Sequence, residues 1–348
     1  MNILSYTPDE LRELMVSISE PAYRAKQIFT QLHKGISLDE MTNIGKATKE
    51  KLHNAIDCNM PKVKRKLSSK IDETVKFLFE LTDGNCIESV VMKYEHGYTI
   101  CVSSQVGCRM GCKFCASTIG GKVRDLEAGE ILGQIISAQR DMGIRISNVV
   151  MMGIGEPLDN YDNVIKFLKI VNLPDGVNIG YRHISLSTCG VVPKIYDLAE
   201  EDLPITLSIS LHASSDETRS EIMPVNKAWG VSELLDACRD YYKKTERRIS
   251  FEYTLIAGKN DTKENAVHLA GFLNSKLRSK SETMPIHVNL IPVNEVTESG
   301  FKSSGRDAVK RFAAELEARG IRATIRRTLG SDINASCGQL RREDAGIK

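Results

Sequence analysis

Apolar residues recur at helical spacing over residues 1–55, change to a strand rhythm beyond Pro61, and alternate between the two from residue 98 onward. Thr7-Pro8-Asp9-Glu10 has the form of a capping box with proline at the first helical position, and Leu11, Leu14, Met15 and Ile18 follow on one helical face. A second helix is predicted from Tyr23 through Phe29 to a stop at Gly35, and a third over residues 48–56. Pro61 and the basic run Lys62-Val63-Lys64-Arg65-Lys66 mark a boundary. Strands are then expected at 75–81, 86–94 and 98–103, with Asp83-Gly84-Asn85 and His96-Gly97 as turns.

The last of these strands begins a regular succession. Further strands are predicted at 146–152, 183–187, 205–211, 249–256, 286–291 and 321–326. Helices fall between them at 127–142, 161–171, 193–199, 231–242, 262–277 (opened by Asp261-x-x-Glu264) and 305–319. Six βα units in a row imply an α/β fold: a parallel barrel, incomplete at six strands. The expected division is a helical accessory domain at 1–58, a β-strand extension at 59–97, a barrel at 98–328 and a C-terminal loop at 329–348. The helical part, with Arg24 and Lys26, suits RNA binding or a packing lid.

Composition narrows the function class only a little. The 348 residues are 41% hydrophobic and 26% charged, which is ordinary for a globular protein. The start shows neither a basic n-region nor an apolar h-region, and no apolar run is long enough to span a bilayer, so cytoplasmic residence without a membrane is expected. Nine cysteines in such a chain argue for reduced thiols. A net charge of +2 is too small to indicate nucleic acid. Local clusters at residues 62–66, 243–248, 276–280, 326–327 and 341–342 would do so only if gathered on one face.

The chemistry lies where the strands end. Directly after strands come Cys108-x3-Cys112-x2-Cys115, Gly153-Ile154-Gly155-Glu156-Pro157, Ser187-Thr188-Cys189-Gly190, Ser210-Leu211-His212 and Pro292-Val293-Asn294. In a βα barrel the C-terminal strand ends carry the active site, so an enzyme is expected. The glycine motif lacks the third glycine of a dinucleotide loop, and Pro157 disturbs the helix entry that would bind pyrophosphate. Three tightly spaced thiols with no fourth suit an iron–sulfur cube with one open iron; zinc completed from afar and chance spacing are the alternatives.

Cys108, Cys112 and Cys115, with Phe114 before the last, resemble the signature of the radical S-adenosylmethionine (SAM) superfamily. The resemblance implies one 4Fe–4S cluster on the three cysteines and SAM chelated by its open iron. The partial (β/α)6 barrel would be the radical SAM barrel. Gly155, Glu156, Ser187, Ser210, Leu211, His212 and Asn294 are then expected around the cofactor.

Gly330-x-Asp332-Ile333-x-Ala335-x-Cys337-Gly338-Gln339-Leu340, with Cys101-Val-Ser-Ser-Gln-Val-Gly-Cys108 and Met152-Gly-Ile-Gly-Glu-Pro157, is similar to the RlmN/Cfr family of radical SAM adenine methyltransferases. Two SAM molecules per turnover are implied: one to methylate Cys337, one to generate the radical that activates the S-methyl group. Cys101 would resolve the protein–RNA adduct through a transient disulfide with Cys337. Glu88 matches the position given to proton acceptance, though a strand glutamate on a solvated face is the plainer reading. The implied substrates are adenine 2503 of 23S rRNA and adenine 37 of tRNA, methylated at C2, with a flavodoxin-like or other one-electron reductant as partner and a monomeric enzyme. Pro157, Val106 and Val191-Val192-Pro193 favour this RlmN branch; Cys189 departs from the serine expected there. The alternatives are Cfr-type C8 methylation and a non-catalytic iron–sulfur protein that binds ribosomes.

Overall fold

The computed structural model describes residues 1–278, 284–293 and 300–333, together with 335, 340, 341, 344 and 346. Helices α1 (Pro8–Ser17), α2 (Arg24–His33) and α3 (Lys46–Ala55) come first. The capping box of α1 forms as expected: Thr7 Oγ1 accepts from Glu10 N, and Glu10 Oε2 accepts from Thr7 N at 2.8 Å. This layer shares its core with the barrel. Leu11, Met15, Ile28 and Phe29 belong to one apolar cluster with Ile131, Ile135 and Phe167.

Strands β1 (Lys62–Ser68), β2 (Val75–Glu80), β3 (Cys86–Tyr94) and β4 (Gly97–Cys101) form an antiparallel set. A short hairpin follows, β5 (Gln105–Gly107) paired with β6 (Lys122–Asp125). The chain then runs α4 (Ala128–Met142), β7 (Ile146–Met151), α5 (Tyr161–Val171), β8 (Ile184–Thr188), α6 (Val192–Glu200) and β9 (Thr206–Ser210). It continues with α7 (Asp216–Ile222), α8 (Val231–Thr245), β10 (Ile249–Leu255), α9 (Lys263–Leu277), β11 (His287–Pro292), α10 (Arg306–Glu317) and β12 (Arg322–Ile325). The main sheet has the order β1-β2-β3-β4-β7-β8-β9-β10-β11-β12, parallel from β4 onward. The parallel α/β arrangement expected from the alternation is therefore present, with the antiparallel strands continuing the same sheet.

Two local expectations need correction, and two elements escape the sequence reading. The basic run after Pro61 is an edge strand, β1, rather than only a boundary. All of its residues but the half-buried Leu67 are exposed, and its lysines leave no apolar alternation to announce it. The hairpin β5–β6 and helix α7 lie in stretches too polar or too short to show periodicity. Helix α9 is capped by Thr262 with Asn265, one position beyond the expected Asp261–Glu264 pair. Asp261 instead accepts from Gly258 N and from Ser304 Oγ.

Candidate functional site

Every strand-end motif predicted from the sequence contributes at least one residue to a cavity of about 440 Å³ at the C-terminal rim of the parallel strands. Its wall includes Cys101, Cys108, Cys112, Cys115, Gly155, Glu156, Ser187, Ser210 and His212. Parallel strands aligned side by side bring motifs far apart in sequence to one end of the sheet.

The cysteine loop is held by its surroundings. Cys108 N donates to Gly121 O at 3.1 Å, and Lys113 N donates to Ile222 O of α7 at 2.9 Å. Gly107, at φ +78°, admits no side chain, because a Cβ there would stand 1.9 Å from Gly121 O. The ring of Phe114 meets that of His212 edge-on, centroids 4.9 Å apart. Burial pushes the Cys108 thiol up to about 12 and raises Cys112 well above its ordinary value. Such thiols stay protonated until a cation binds, and a coordinating metal reverses that preference.

Among the described residues, no group of three or more His, Cys, Asp or Glu side chains is placed to hold a metal ion. A cuboidal cluster is gripped at separate corners, so its thiolates stand farther apart than the ligands of one ion. Three soft sulfur donors on one loop, each on the cavity wall, suit a cluster and leave it one uncommitted corner.

Glu156 is fully enclosed, and burial raises its carboxyl. Oε1 accepts from Leu158 N at 3.0 Å and Oε2 from Cys189 N at 2.7 Å, so the side chain joins the ends of β7 and β8. His212 has φ +58°, rare for a non-glycine residue and a conformation that clusters at functional sites. Its Nδ1 accepts from Thr254 N at 2.9 Å, which puts the proton of the neutral ring on Nε2. Burial, reinforced by Arg219, lowers His212 to about 3 and keeps it uncharged. Leu211, between Ser210 and His212, turns into the core and does not line the cavity.

Sequence reasoning missed Arg219. This residue is completely buried. Its guanidinium donates to Leu211 O (3.0 Å), Asn226 Oδ1 (3.0 Å), Cys189 O (2.6 Å) and Ser210 O (3.1 Å), tying together the two loops that carry Cys189 and His212. In the string Asp216-Glu-Thr-Arg-Ser-Glu221 it looks like one more solvated charge.

Cys101 ends β4 and packs with Val90, Met92, Met152, Leu329 and Ala335. No disulfide joins any two of the described cysteines. Cys337 and Asn294 lie outside the described residues. The chain around Cys337 is fastened to the antiparallel strands. Gly330 N donates to Asp72 Oδ2 (2.9 Å), and Asp332 accepts from Ser69 Oγ and Lys70 N (both 2.7 Å). Leu340 packs with Leu78 and Cys86, and Asp344 pairs with Lys64 at 2.9 Å. Glu88 is off the cavity wall. It forms a fully buried ion pair with Lys76 at 3.0 Å, and its Oε1 accepts from Arg341 N at 2.6 Å. Of the basic clusters, Arg326 and Arg327 line the cavity, whereas Lys276 pairs with Asp236 at 3.3 Å. No helix among the described residues is long and apolar enough to cross a membrane.

Comparison with known proteins agrees with this arrangement. Residues 102–270 match the model of the radical SAM superfamily, and residues 1–57 match the ribosomal RNA large subunit methyltransferase N-terminal domain. The chain is 55% identical over 343 residues to a probable dual-specificity RNA methyltransferase RlmN from Clostridium novyi, covering 98% of each. A relative of the same name from Clostridium acetobutylicum is 53% identical, with 98% of this chain and 97% of that protein aligned. The crystal structure of a radical SAM methyltransferase from Sphaerobacter thermophilus superposes with a TM-score of 0.91 at 40% identity, covering 97% of this chain and 98% of the other. Identity at this level along nearly the whole length, in a cavity built from the radical SAM motifs, places the chain in the RlmN family of radical SAM proteins.

Proposed function

We propose that the protein is an RNA methyltransferase that methylates C2 of adenine, at position 2503 of 23S rRNA and position 37 of tRNA. The observation that carries this reading is that Cys101 and Ala335, which stands two positions before Cys337 in the sequence, line the same cavity as the cysteine loop. A protein that only bound RNA would need neither thiol.

In this reading Cys108, Cys112 and Cys115 hold one 4Fe–4S cluster, and Gly155, Glu156, Ser187, Ser210, His212 and Asn294 surround SAM. When bound, SAM would supply the methyl group and the reduced cluster with SAM would supply radical chemistry, two SAM molecules being consumed per turnover. Cys337 is the methyl carrier, through an S-methylcysteine. Cys101 frees the product by attacking the sulfur of Cys337, a transient disulfide that thiol exchange then reduces. Glu156 orients the cofactor's amino end, and the neutral His212 offers an N–H without adding charge. A ring C–H of adenine is too poor a nucleophile for direct displacement, which is why the carrier thiol is needed. Glu88 would serve as proton acceptor once its bonds to Lys76 and Arg341 open.

The chain then divides into an RNA-binding helical domain (1–58), a strand extension (59–97), the barrel (98–328) and the carrier loop (329–348). A flavodoxin-like or other one-electron reductant, a monomeric state and cytoplasmic residence complete the proposal. The target base must leave its stack to enter the cavity, and Arg326 and Arg327 at the wall favour an RNA backbone there.

The test is anaerobic incubation of the cluster-loaded enzyme with SAM, reductant and unmodified 23S rRNA or tRNA, followed by nucleoside mass spectrometry. 2-Methyladenosine that disappears in Cys337→Ala is expected. An 8-methyladenosine product would assign the C8 reaction instead, and cofactor cleavage without any methyladenosine would refute the substrate.

A further inference from the structure

Arg219 carries a charge that its own contacts do not require. It stands on α7, completely buried, and its hydrogen bonds all end on neutral oxygens: Leu211 O, Ser210 O, Cys189 O and Asn226 Oδ1. Water or an asparagine would satisfy such acceptors without stripping the water from a guanidinium. Among the described residues no carboxylate pairs with it. Asp216 is held off by Asn226, which donates to Asp216 Oδ1 at 2.9 Å while it accepts from Arg219, and Asp216 itself is exposed. Glu156 reaches Cys189 by its N–H, whereas Arg219 holds the carbonyl, and the proposed function commits that carboxylate to the cofactor's amino end. A guanidinium does not give up its proton in a protein, so this buried cation calls for an anion.

Helix α7 is also the wall behind the cysteine loop. One turn on from Arg219, Ile222 and Met223 pack with Cys112 and Cys189 in one apolar cluster. Lys113 N donates to Ile222 O at 2.9 Å, and a Cβ on Gly111 would meet Pro224 at 3.4 Å, so the loop lies along the helix and its exit. Burial lowers the guanidinium, and the groups that oppose this most strongly are Cys189 and Cys112, ahead of Asp216. Burial holds Cys189 far above its ordinary value and so neutral, whereas a ligating Cys112 is a thiolate.

We propose that Arg219 is the counter-ion of the Cys112 corner of the cluster, a positioning residue that raises the cluster's reduction potential. A cluster on three thiolates is an anion, and an added electron makes it more so; net charge is one of the levers that set such potentials. A fixed cation in a buried wall acts on that charge with little screening. In the step, one electron passes from a low-potential one-electron donor to the cluster. No bond forms or breaks at Arg219, and its protons stay in place. Because Arg219 also fastens Cys189 O and Ser210 O, its charge is fixed relative to the loops that face SAM in the proposed function. The inference rests on the cluster assigned there.

The test is a redox titration of the full chain, cluster-loaded and free of SAM and RNA, followed by electron paramagnetic resonance of the reduced cluster. Iron and acid-labile sulfide normalise the signal. Arg219→Gln and Arg219→Met remove the charge, and Arg219→Lys keeps it on a poorer set of donors. The first two should lower the one-electron equilibrium constant for reduction about tenfold or more, a midpoint drop of about 59 mV or more. The lysine variant should stay closer to the wild type than either. Equal midpoints in the lysine and glutamine variants, shifted or not, overturn the proposal, because the residue would then only tie two loops together. If the charge-free chains do not fold, Asp216→Asn decides. It removes the exposed carboxylate behind Asn226 and should raise the midpoint, and an unmoved midpoint overturns the proposal. Wild-type protein that takes up no cluster refutes the cluster assignment and this inference with it, whereas a loaded cluster whose midpoint ignores the charge at Arg219 refutes this inference alone.

Discussion

Strand β4 divides the sheet into two halves that are built by different rules. On one side β7 to β12 run parallel to it, and their polar residues collect at one rim because all of their C-termini point the same way. On the other side β3, β2 and β1 run antiparallel, their ends alternate, and what they hold is the chain's own C-terminal stretch, through Asp72, Ser69, Lys70, Lys64 and Glu88. The parallel half presents chemistry at strand ends; the antiparallel half positions a distant segment along strand faces and turns. Losses in the first should therefore appear in cofactor and activity, and losses in the second in stability and in the accessibility of Cys337.

The largest expected effect is in the parallel half. Cys112→Ala should abolish methylation and halt cluster reconstitution, measured as iron and acid-labile sulfide, while the fold persists. Retention of a full cluster would break the contrast. In the antiparallel half, Glu88→Leu removes the carboxylate paired with the buried Lys76 and should cost ~3–5 kcal/mol in urea unfolding. The double variant Lys76→Met/Glu88→Leu should recover most of that loss, since a buried ion pair is close to neutral against a packed apolar one. No recovery would mean that the pair does more than fill its place.

The helical layer offers a pH test. His33 of α2 is buried, its Nδ1 accepts from Val177 N at 3.3 Å, and burial lowers it to about 4. The unfolded chain protonates this ring near pH 6.5 and the folded one only near 4, so the unfolded state binds more protons between them. Stability should fall as pH drops through that window, by on the order of 2 kcal/mol, and the slope should shrink in His33→Gln. The smallest effect is expected at the tail. Asp72→Ala with Asp332→Ala removes bonds worth about 1 kcal/mol each and should speed alkylation of Cys337 about tenfold, with little change in global unfolding.

The two halves also differ in how far the sequence reveals them. In the parallel half the strands and the longer helices follow from periodicity, with the short α7 as the exception, and the motifs lie next to the strands that deliver them. Arg219 is invisible there, because its partners come from the ends of separate strands and it has no local spacing. In the antiparallel half even β1 escapes notice, since its exposed lysines mimic a basic linker. Lys76 and Glu88 read as two ordinary strand charges until the register sets Leu78 opposite Glu88 and folds the tail over them.

β4 pairs with β3 on one edge and β7 on the other, and it ends at Cys101. Side chains along a strand alternate between faces, so a slip of one position would exchange Ile100 for Cys101 at the cavity. Such a slip could keep most of the sheet's hydrogen bonds while turning the thiol toward the helices. The strand thus works as a ruler whose zero mark is set by two neighbours of opposite direction. Insertion of one residue between Gly97 and Cys101 would leave a folded protein with its sulfur on the wrong side of the wall.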